Sequence, residues 1–272
     1  MGTTALNSII VWTCIFLLSA CGGGGGGGGG GTPAPVGDQD FGGVWSGSWT
    51  VDGGPANEQQ DVVGLSTDEG AFEFLLPELG IRASGTVVSI DGTTVQASGL
   101  AYTIEPGDSF PGGATITGFS FTGTLSERNQ LTGEWSIDAG DTGSFDLQYD
   151  TVHQRGADLA RVAGLWDWLD PFLNPIAGPF DIAADGTVFR QAGGCDFIGA
   201  ISVPDPAYNV YEWNVTISDT TPGSCPLAGT TPSKGLAVLG DSDVSAGPLN
   251  DWLVVFTSRE NINAAALILQ RF

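Results

Sequence analysis

Side chains that could act as a catalytic base are few in this sequence. Among its 272 residues there is one histidine, His153. A Ser-His-Asp triad needs a histidine as its base. His153 lies in residues 151–161, a stretch that breaks the apolar alternation of its surroundings, so we expect a solvated histidine in a connector. We therefore predict no catalytic triad.

Carboxylates stand beside tryptophan at two places, Glu134-Trp135 and Glu212-Trp213. Two carboxylates flanking a sugar ring are the machinery of glycoside hydrolysis, and a tryptophan could serve as the sugar platform. However, adjacent residues of a strand point to opposite faces of the sheet. We expect an outward acid and an inward tryptophan in each pair, and we predict that the protein is not an enzyme.

The chain is strongly acidic. It carries 31 Asp and Glu residues against 8 Lys and Arg residues, for a net charge of −23. Such a surface repels phosphate backbones and anionic headgroups, which argues against nucleic acids as partners and against electrostatic docking to membranes. Asp241, Asp243 and Asp251 could bind Ca²⁺, but they lack the glycine and the terminal glutamate of an EF-hand loop. We predict no metal site and no cofactor, and leave calcium at these acidic loops open.

Residues 1–20 have the character of an export signal. The apolar run from Ile9 to Ala20 is too short to span a bilayer core, which needs about 20 helical residues. The run ends in small residues, as signal peptides do. Leu18-Ser19-Ala20-Cys21 resembles the lipobox of bacterial lipoproteins, in which the cysteine is lipidated and becomes the mature N-terminus. The resemblance implies lipid attachment at Cys21 and a membrane anchor on the non-cytoplasmic side.

Residues 21–40 follow as a linker in which ten glycines, Gly22–Gly31, precede Thr32-Pro33-Ala34-Pro35. Polyglycine has almost no conformational preference, so we expect a flexible tether with a mean reach of roughly 25 Å. In lipoproteins, an aspartate directly after the lipidated cysteine often retains the protein in the inner membrane, and this chain has Gly22 there. The resemblance therefore implies the outer membrane of a Gram-negative cell, on its periplasmic or surface face.

Cys195 and Cys225 remain in the mature chain once Cys14 leaves with the signal peptide and Cys21 carries lipid. An exported protein meets an oxidising compartment, and two cysteines are the minimum for one bridge. The alternative, a metal site, needs histidine or carboxylate partners, and His153 is far away in sequence. We predict a Cys195–Cys225 disulfide, with Cα atoms about 4.4–6.8 Å apart.

Residues 41–152 and residues 160–272 each contain about eight candidate strands joined by short Gly- and Asp-rich turns. Asp91-Gly92 is a strong signal for a two-residue hairpin turn. Residues 114–125 alternate with the period of a half-buried strand. Because up-and-down barrels remove exposed strand edges by closing, we predict an all-β fold of two tandem eight-stranded antiparallel β-barrels after a signal peptide and a poly-Gly linker. One large β-sandwich is the alternative.

The two β-rich segments match each other at three places: Gly43-x-Trp45 with Gly164-x-Trp166, Leu147-Gln148 with Leu269-Gln270, and Trp135 with Trp252 as the starts of the penultimate strands. The first pair resembles the Gly-x-Trp opening of calycins, lipocalin-like barrels in which the tryptophan plugs the barrel floor. The segment from Cys195 to Leu239 is similar to small β-barrel domains of uncharacterised bacterial lipoproteins. These matches favour an internal duplication.

The function that these features favour is a non-enzymatic binding or interaction module on the bacterial envelope. We expect a small apolar ligand inside a barrel or an envelope protein partner on its surface, since an eight-stranded barrel is filled by side chains or holds one small ligand. A structural envelope protein and a hydrolase with an unrecognised carboxylate site remain the rivals. A cavity on the order of a few hundred Å³ would favour the binder, and carboxylates converging in a cleft would favour the enzyme.

Overall fold

The computed structural model describes eight stretches of the chain: residues 40–52, 59–76, 79–103, 107–169, 175–225, 228–241, 251–259 and 263–271. The predictions for residues 1–39, which cover the signal peptide, Cys21 and most of the linker, lie outside the described residues. The chain divides into two compact units between Thr151 and Val152. Each unit contains one closed eight-stranded antiparallel β-barrel, so the predicted tandem barrels are confirmed and the single β-sandwich is wrong.

The first barrel is a meander in which each strand pairs with the next and the last strand closes on the first. Its strands are β1 (Gly43–Val51), β2 (Gln59–Ser66), β3 (Ala71–Leu76), β4 (Ile81–Asp91), β5 (Thr94–Thr103), β6 (Ile116–Ser126), β7 (Gln130–Ile137) and β8 (Thr142–Asp150). Closure places residues opposite each other that are distant in sequence. Thr50 of β1, for example, faces Ser144 of β8.

Alternating burial along β6 and β8 separates the inner face of the first barrel from its outer face. In β6, every second residue from Thr117 to Leu125 is buried, and in β8 the same holds from Gly143 to Leu147. The predicted period-two strand in residues 114–125 is therefore confirmed. β3 differs, because all its residues from Phe72 to Leu76 are buried.

The β4–β5 hairpin has a two-residue loop, but it begins one residue later than predicted. Asp91 pairs with Thr94, so the loop is Gly92-Thr93 and not Asp91-Gly92. Gly92 takes a φ of +56°, a left-handed conformation that glycine adopts without steric cost. The glycine of the predicted turn thus occupies the first loop position.

A 3-10 helix (Thr151–Arg155) and the short helix α1 (Leu159–Val162) precede the second barrel. Its strands are β9 (Gly164–Leu169), β10 (Pro175–Ile182), β11 (Thr187–Ala192), β12 (Cys195–Ser202), β13 (Tyr211–Asp219), β14 (Ser233–Gly240), β15 (Trp252–Arg259) and β16 (Asn263–Arg271). β9 pairs with both β10 and β16, which closes the barrel. Within the described residues, no helix has the length and apolar character needed to cross a membrane.

The two Gly-x-Trp segments occupy equivalent places in the two barrels. Trp45 in β1 and Trp166 in β9 are both fully buried. The indole N–H of Trp45 donates to Ser66 Oγ at 2.9 Å, and that of Trp166 donates to the Val162 carbonyl at 2.7 Å. Each indole has a hydrogen-bond partner within its own compact unit, as a buried tryptophan requires.

The match of Trp135 with Trp252 is wrong. Trp252 is the first residue of β15, whereas Trp135 is the sixth of the eight residues of β7. Trp135 is 7% exposed and lies opposite Gly143, while Trp252 lies opposite Gln270. A lone aromatic residue does not determine strand register, because the register depends on the whole pattern of inward and outward side chains.

Candidate functional site

Aromatic rings occupy the interior of the first barrel. Trp49 lies among them, with its ring centroid 4.8 Å from that of Trp135 and 5.8 Å from that of Phe145. The packed rings include Phe41, Trp45, Trp49, Phe72, Phe74, Phe119, Phe121, Trp135 and Phe145. These rings pack against one another in the interior, and a groove lies on the outer face of the same barrel.

Gly143 allows the indole of Trp135 to lie against β8. A Cβ at position 143 would stand 2.7 Å from Trp135 Nε1 and 1.8 Å from the Thr50 carbonyl oxygen. In the space that glycine leaves, Trp135 Nε1 donates a hydrogen bond to that oxygen at 3.1 Å. One indole thus ties β7 to β1 across β8.

Two rows of polar side chains cross the outer face of this part of the barrel. They follow the strand register and comprise Ser120, Ser136, Thr142 and Asp52 in the first row, and Thr122, Glu134, Ser144 and Thr50 in the second. Neighbouring strands lie about 4.8 Å apart, and residues two apart on one strand about 7 Å apart. The rows therefore form a lattice of hydroxyl and carboxylate groups.

Hydrogen bonds between strands hold several of these side chains in place. The hydroxyl oxygens of Ser120 and Ser136 lie 2.9 Å apart. Thr142 Oγ1 donates to Asp52 Oδ2 at 2.8 Å. A third pair joins the hydroxyls of Thr50 and Ser144 at 2.7 Å. Because five of the six partners stand on strands and Asp52 directly follows β1, the groups that face solvent are oriented before any ligand arrives.

A groove of about 410 Å³ opens over this lattice, and we call it the outer groove. Its described lining consists of Asp52, Ser120, Phe121, Thr122, Glu134, Trp135, Ser136, Thr142, Gly143 and Ser144. The polar side chains among them are hydroxyls and carboxylates, and none is a lysine or an arginine. The groove can therefore accept and donate hydrogen bonds but supplies no positive charge from these residues.

The outer groove contains two carboxylates, Glu134 and Asp52. They are distant in sequence, and no motif predicts that they lie in the same groove. Glu134 is exposed and Trp135 buried, and the same is true of Glu212 and Trp213, as the alternation predicts. On the strand lattice, Asp52 is two strands and one row away from Glu134, which puts their Cα atoms about 12 Å apart. Sequence reasoning missed Asp52, because its place depends on the closure of β1 on β8.

His153 is buried, contrary to the solvated histidine predicted from the sequence. It is 1% exposed, and its ring stacks on that of Tyr208 at a centroid distance of 4.6 Å. The backbone N–H of Asn209 donates to the His153 carbonyl at 2.7 Å. The residues around His153 are mostly polar, which is why the sequence indicated a solvated connector. In the structure they form a 3-10 helix that buries Val152 and His153.

The acidic residues proposed as calcium ligands do not form a cluster in the described part of the chain. Asp241 forms an ion pair with Arg155, while Asp243 lies outside the described residues. The backbone carbonyl of Asp251 accepts from the Arg271 N–H at 2.8 Å. No group of three or more metal-binding side chains is found among the described residues.

The predicted disulfide is present. Cys195 and Cys225 are bonded, with Cα atoms 4.9 Å apart, inside the expected range. Cys195 begins β12, and Cys225 lies in the loop after β13. The loop is held further by Ser224 Oγ, which donates to the Gly194 carbonyl at 2.7 Å. The bridge therefore attaches this loop to the barrel wall.

Arg190 lies among aromatic side chains of the second barrel, a position that sequence reasoning missed. It is 3% exposed, and its Cζ lies 4.9–5.1 Å from the ring centroids of Trp168, Phe180 and Phe197. Its Nε donates to the Gly178 carbonyl at 2.7 Å. Burial lowers the pKa of the guanidinium. Val188 and Arg190 are two residues apart in β11 and so point to the same face of the sheet. This spacing from an inward valine could have predicted that Arg190 is also inward.

No family model and no curated protein matches this chain. Solved structures with some likeness include Aeromonas veronii immune modulator A, at 9% identity and a TM-score of 0.36, over 88% of this chain and 96% of that one. Another is a candidate outer membrane protein of Bacteroides fragilis, at 13% identity and a TM-score of 0.30, over 85% of this chain and 98% of that one. At these scores the likeness supports no conclusion about function.

Proposed function

We propose that this chain is a lipid-anchored protein of the bacterial envelope that acts by non-catalytic binding, with the outer groove as its binding site. The observation that carries the proposal is the groove itself, whose volume is about 410 Å³. Small-molecule sites usually measure about 300–1,000 Å³. The aromatic packing of the interior disfavours a small apolar ligand within the first barrel.

The envelope anchor is supported by the lipobox-like residues 18–21 and the glycine linker that follows. Two acyl chains hold a protein firmly at a membrane, whereas one binds marginally. Cys21→Ser should release the protein from membranes or leave it unprocessed, as seen by fractionation and gel migration. Cys14→Ser is the matched control and should fractionate like the parent. If Cys21→Ser also fractionates and migrates like the parent, the anchor is wrong.

A glycoside hydrolase is the second candidate, because Glu134 and Asp52 line one groove. Hydrolysis requires the two carboxyl groups to be about 5–9.5 Å apart. On the strand lattice, the Cα atoms of Glu134 and Asp52 lie about 12 Å apart. Asp52 also accepts a hydrogen bond from Thr142, which holds it at the edge of the groove. Shortened products after incubation with oligosaccharides would support hydrolysis, and intact oligosaccharides would support binding.

The binding proposal is tested by native mass spectrometry of protein purified from its own host membranes. We expect a co-purifying ligand or partner on the parent protein and its loss in Thr122→Arg, which places a long cationic side chain in the outer groove. Thr122 is exposed, so the variant should fold. If the parent carries nothing, a structural role is favoured. If the variant retains the bound species, the outer groove is not the binding site.

A further inference from the structure

We infer that the outer groove binds a neutral glycan chain. The inference rests on the proposed function, which makes the groove a binding site, and it adds the chemical class of the ligand. Three properties of the described lining carry it: the density of hydrogen-bonding groups, the sign of the charge, and the fixed positions of the side chains.

The density of hydrogen-bonding groups suits a ligand with many hydroxyls. Five hydroxyls and two carboxylates line the groove. A side-chain hydroxyl donates one hydrogen bond and accepts two, and a carboxylate accepts only. A sugar hydroxyl has the same dual capacity, so each can find a partner among these groups. An apolar ligand would leave them unpaired at a cost.

The charge of the lining selects against anionic ligands. Glu134 and Asp52 are the ionisable groups of the described lining, and the whole chain carries a net charge of −23. Uronic acid polymers, phosphorylated lipopolysaccharide and nucleic acids would therefore be repelled. A metal ion is disfavoured because a cation site needs its oxygen ligands within about 2–2.6 Å of the ion. Glu134 is on β7, whereas Asp52 follows β1 and lies in the other row of side chains. An uncharged, polyhydroxylated ligand remains.

The positions of the side chains suit an extended chain of sugar rings. Hydroxyl groups recur from β6 to β8 at the strand spacing of about 4.8 Å, which is close to the length of a sugar ring. The pairs Ser120–Ser136 and Thr142–Asp52 are already hydrogen-bonded at 2.9 and 2.8 Å. Because their rotamers are set in advance, binding a glycan orders few additional side chains.

Glu134 is on β7, between β6 and β8, and we expect its side chain to contribute most to glycan binding. It lies opposite Thr122 on one side and opposite Ser144 on the other. Its carboxylate can accept hydrogen bonds from sugar hydroxyls, and bonds to a charged group are the stronger kind. Loss of that charge should weaken glycan binding by about tenfold or more.

The test uses the lipidated protein purified from host membranes in detergent and a panel of neutral cello-, malto-, manno- and N-acetylchito-oligosaccharides. Isothermal titration calorimetry should detect binding of at least one member. Glu134→Gln should weaken that binding by about tenfold, and Thr122→Arg should abolish it. Glu212→Gln is the matched control, because Glu212 is also an exposed acid beside a buried tryptophan, and it should bind like the parent.

Three outcomes would overturn the inference. Failure of every oligosaccharide to bind is the first, and binding that survives in Thr122→Arg is the second. The third is a non-carbohydrate species on host protein that Thr122→Arg removes, which would leave the proposed function standing without the glycan. Shortened sugar products after incubation would instead support the glycan but contradict non-catalytic binding.

Discussion

The guanidinium of Arg271 lies over the indole of Trp166, with Cζ 4.6 Å from the ring centroid. The two residues face each other across β9 and β16, the strands that close the second barrel. In the first barrel the equivalent position opposite Trp45 is Tyr149, whose ring meets the indole edge-on at 5.6 Å. Both barrels thus cover a fully buried tryptophan with a side chain from their last strand.

Arg271→Met should destabilise the second barrel by about 1–2 kcal/mol, because it removes a cation–π contact and a hydrogen bond to the Arg161 carbonyl. Chemical denaturation followed by tryptophan fluorescence would measure the change. Arg128→Met is the control, since Arg128 is partly exposed and pairs with Asp40 at 3.0 Å, and such a pair contributes about 0–1 kcal/mol. Equal losses of stability in the two variants would contradict a stabilising contact between Arg271 and Trp166.

Gly143→Ala should destabilise the first barrel by about 1–3 kcal/mol, the usual range for overpacking a well-packed interior. The added Cβ would stand 1.8 Å from the Thr50 carbonyl oxygen, which is backbone and cannot turn away. The hydrogen bond from Trp135 to that oxygen would also be disturbed. Thermal melting is the measurement. Thr122→Ala, an outward change on β6, should stay within about 0.5 kcal/mol of the parent.

Glu73 and Arg82 form a buried ion pair in the first barrel. Glu73 Oε2 lies 2.6 Å from Arg82 Nη2, and Arg82 is fully buried. Burial raises the pKa of Glu73 from an ordinary value of 4.5 to about 7, although the charge and hydrogen bond of Arg82 oppose the rise. The folded chain therefore holds a proton on Glu73 at pH values where the unfolded chain has released it.

This raised pKa predicts that the stability from Glu73 is fully present below pH 4.5 and is lost as pH rises through about 7. Between pH 5 and pH 7 the parent should lose about 2 kcal/mol more stability than Glu73→Gln, which cannot titrate. Urea denaturation at several pH values would show the difference. Glu134→Gln, at an exposed position, should follow the parent; a constant gap between parent and Glu73→Gln would contradict the shift.

Removing the disulfide by a joint Cys195→Ser and Cys225→Ser change should lower the stability of the second barrel by about 3–4 kcal/mol, because the bridge closes a loop of 30 residues. The melting transition of the first barrel should be unchanged. Non-reducing peptide mapping of the parent should show the two cysteine peptides linked. Free thiols in protein isolated from the envelope would contradict the bridge.

Local sequence patterns were sufficient for the strands and the fold class. The alternation in residues 114–125 predicted β6 correctly, because a strand with one buried face places every second side chain inward. The predicted bridge between Cys195 and Cys225 is present as well. Two expectations failed for the opposite reason: whether His153 is buried and which position Trp135 occupies in its strand both depend on packing between distant segments.

The sequence by itself determined that this chain is acidic and contains two β-rich segments of similar strand number, since composition and periodicity are local properties that each segment carries alone. The tertiary structure decided where a site could form. Glu134 shares the outer groove with Asp52 because β1 closes on β8, which brings residues 50–52 beside residues 142–144. That closure depends on hydrogen bonds between the first and the last strand of the barrel, and no short stretch of sequence contains both partners.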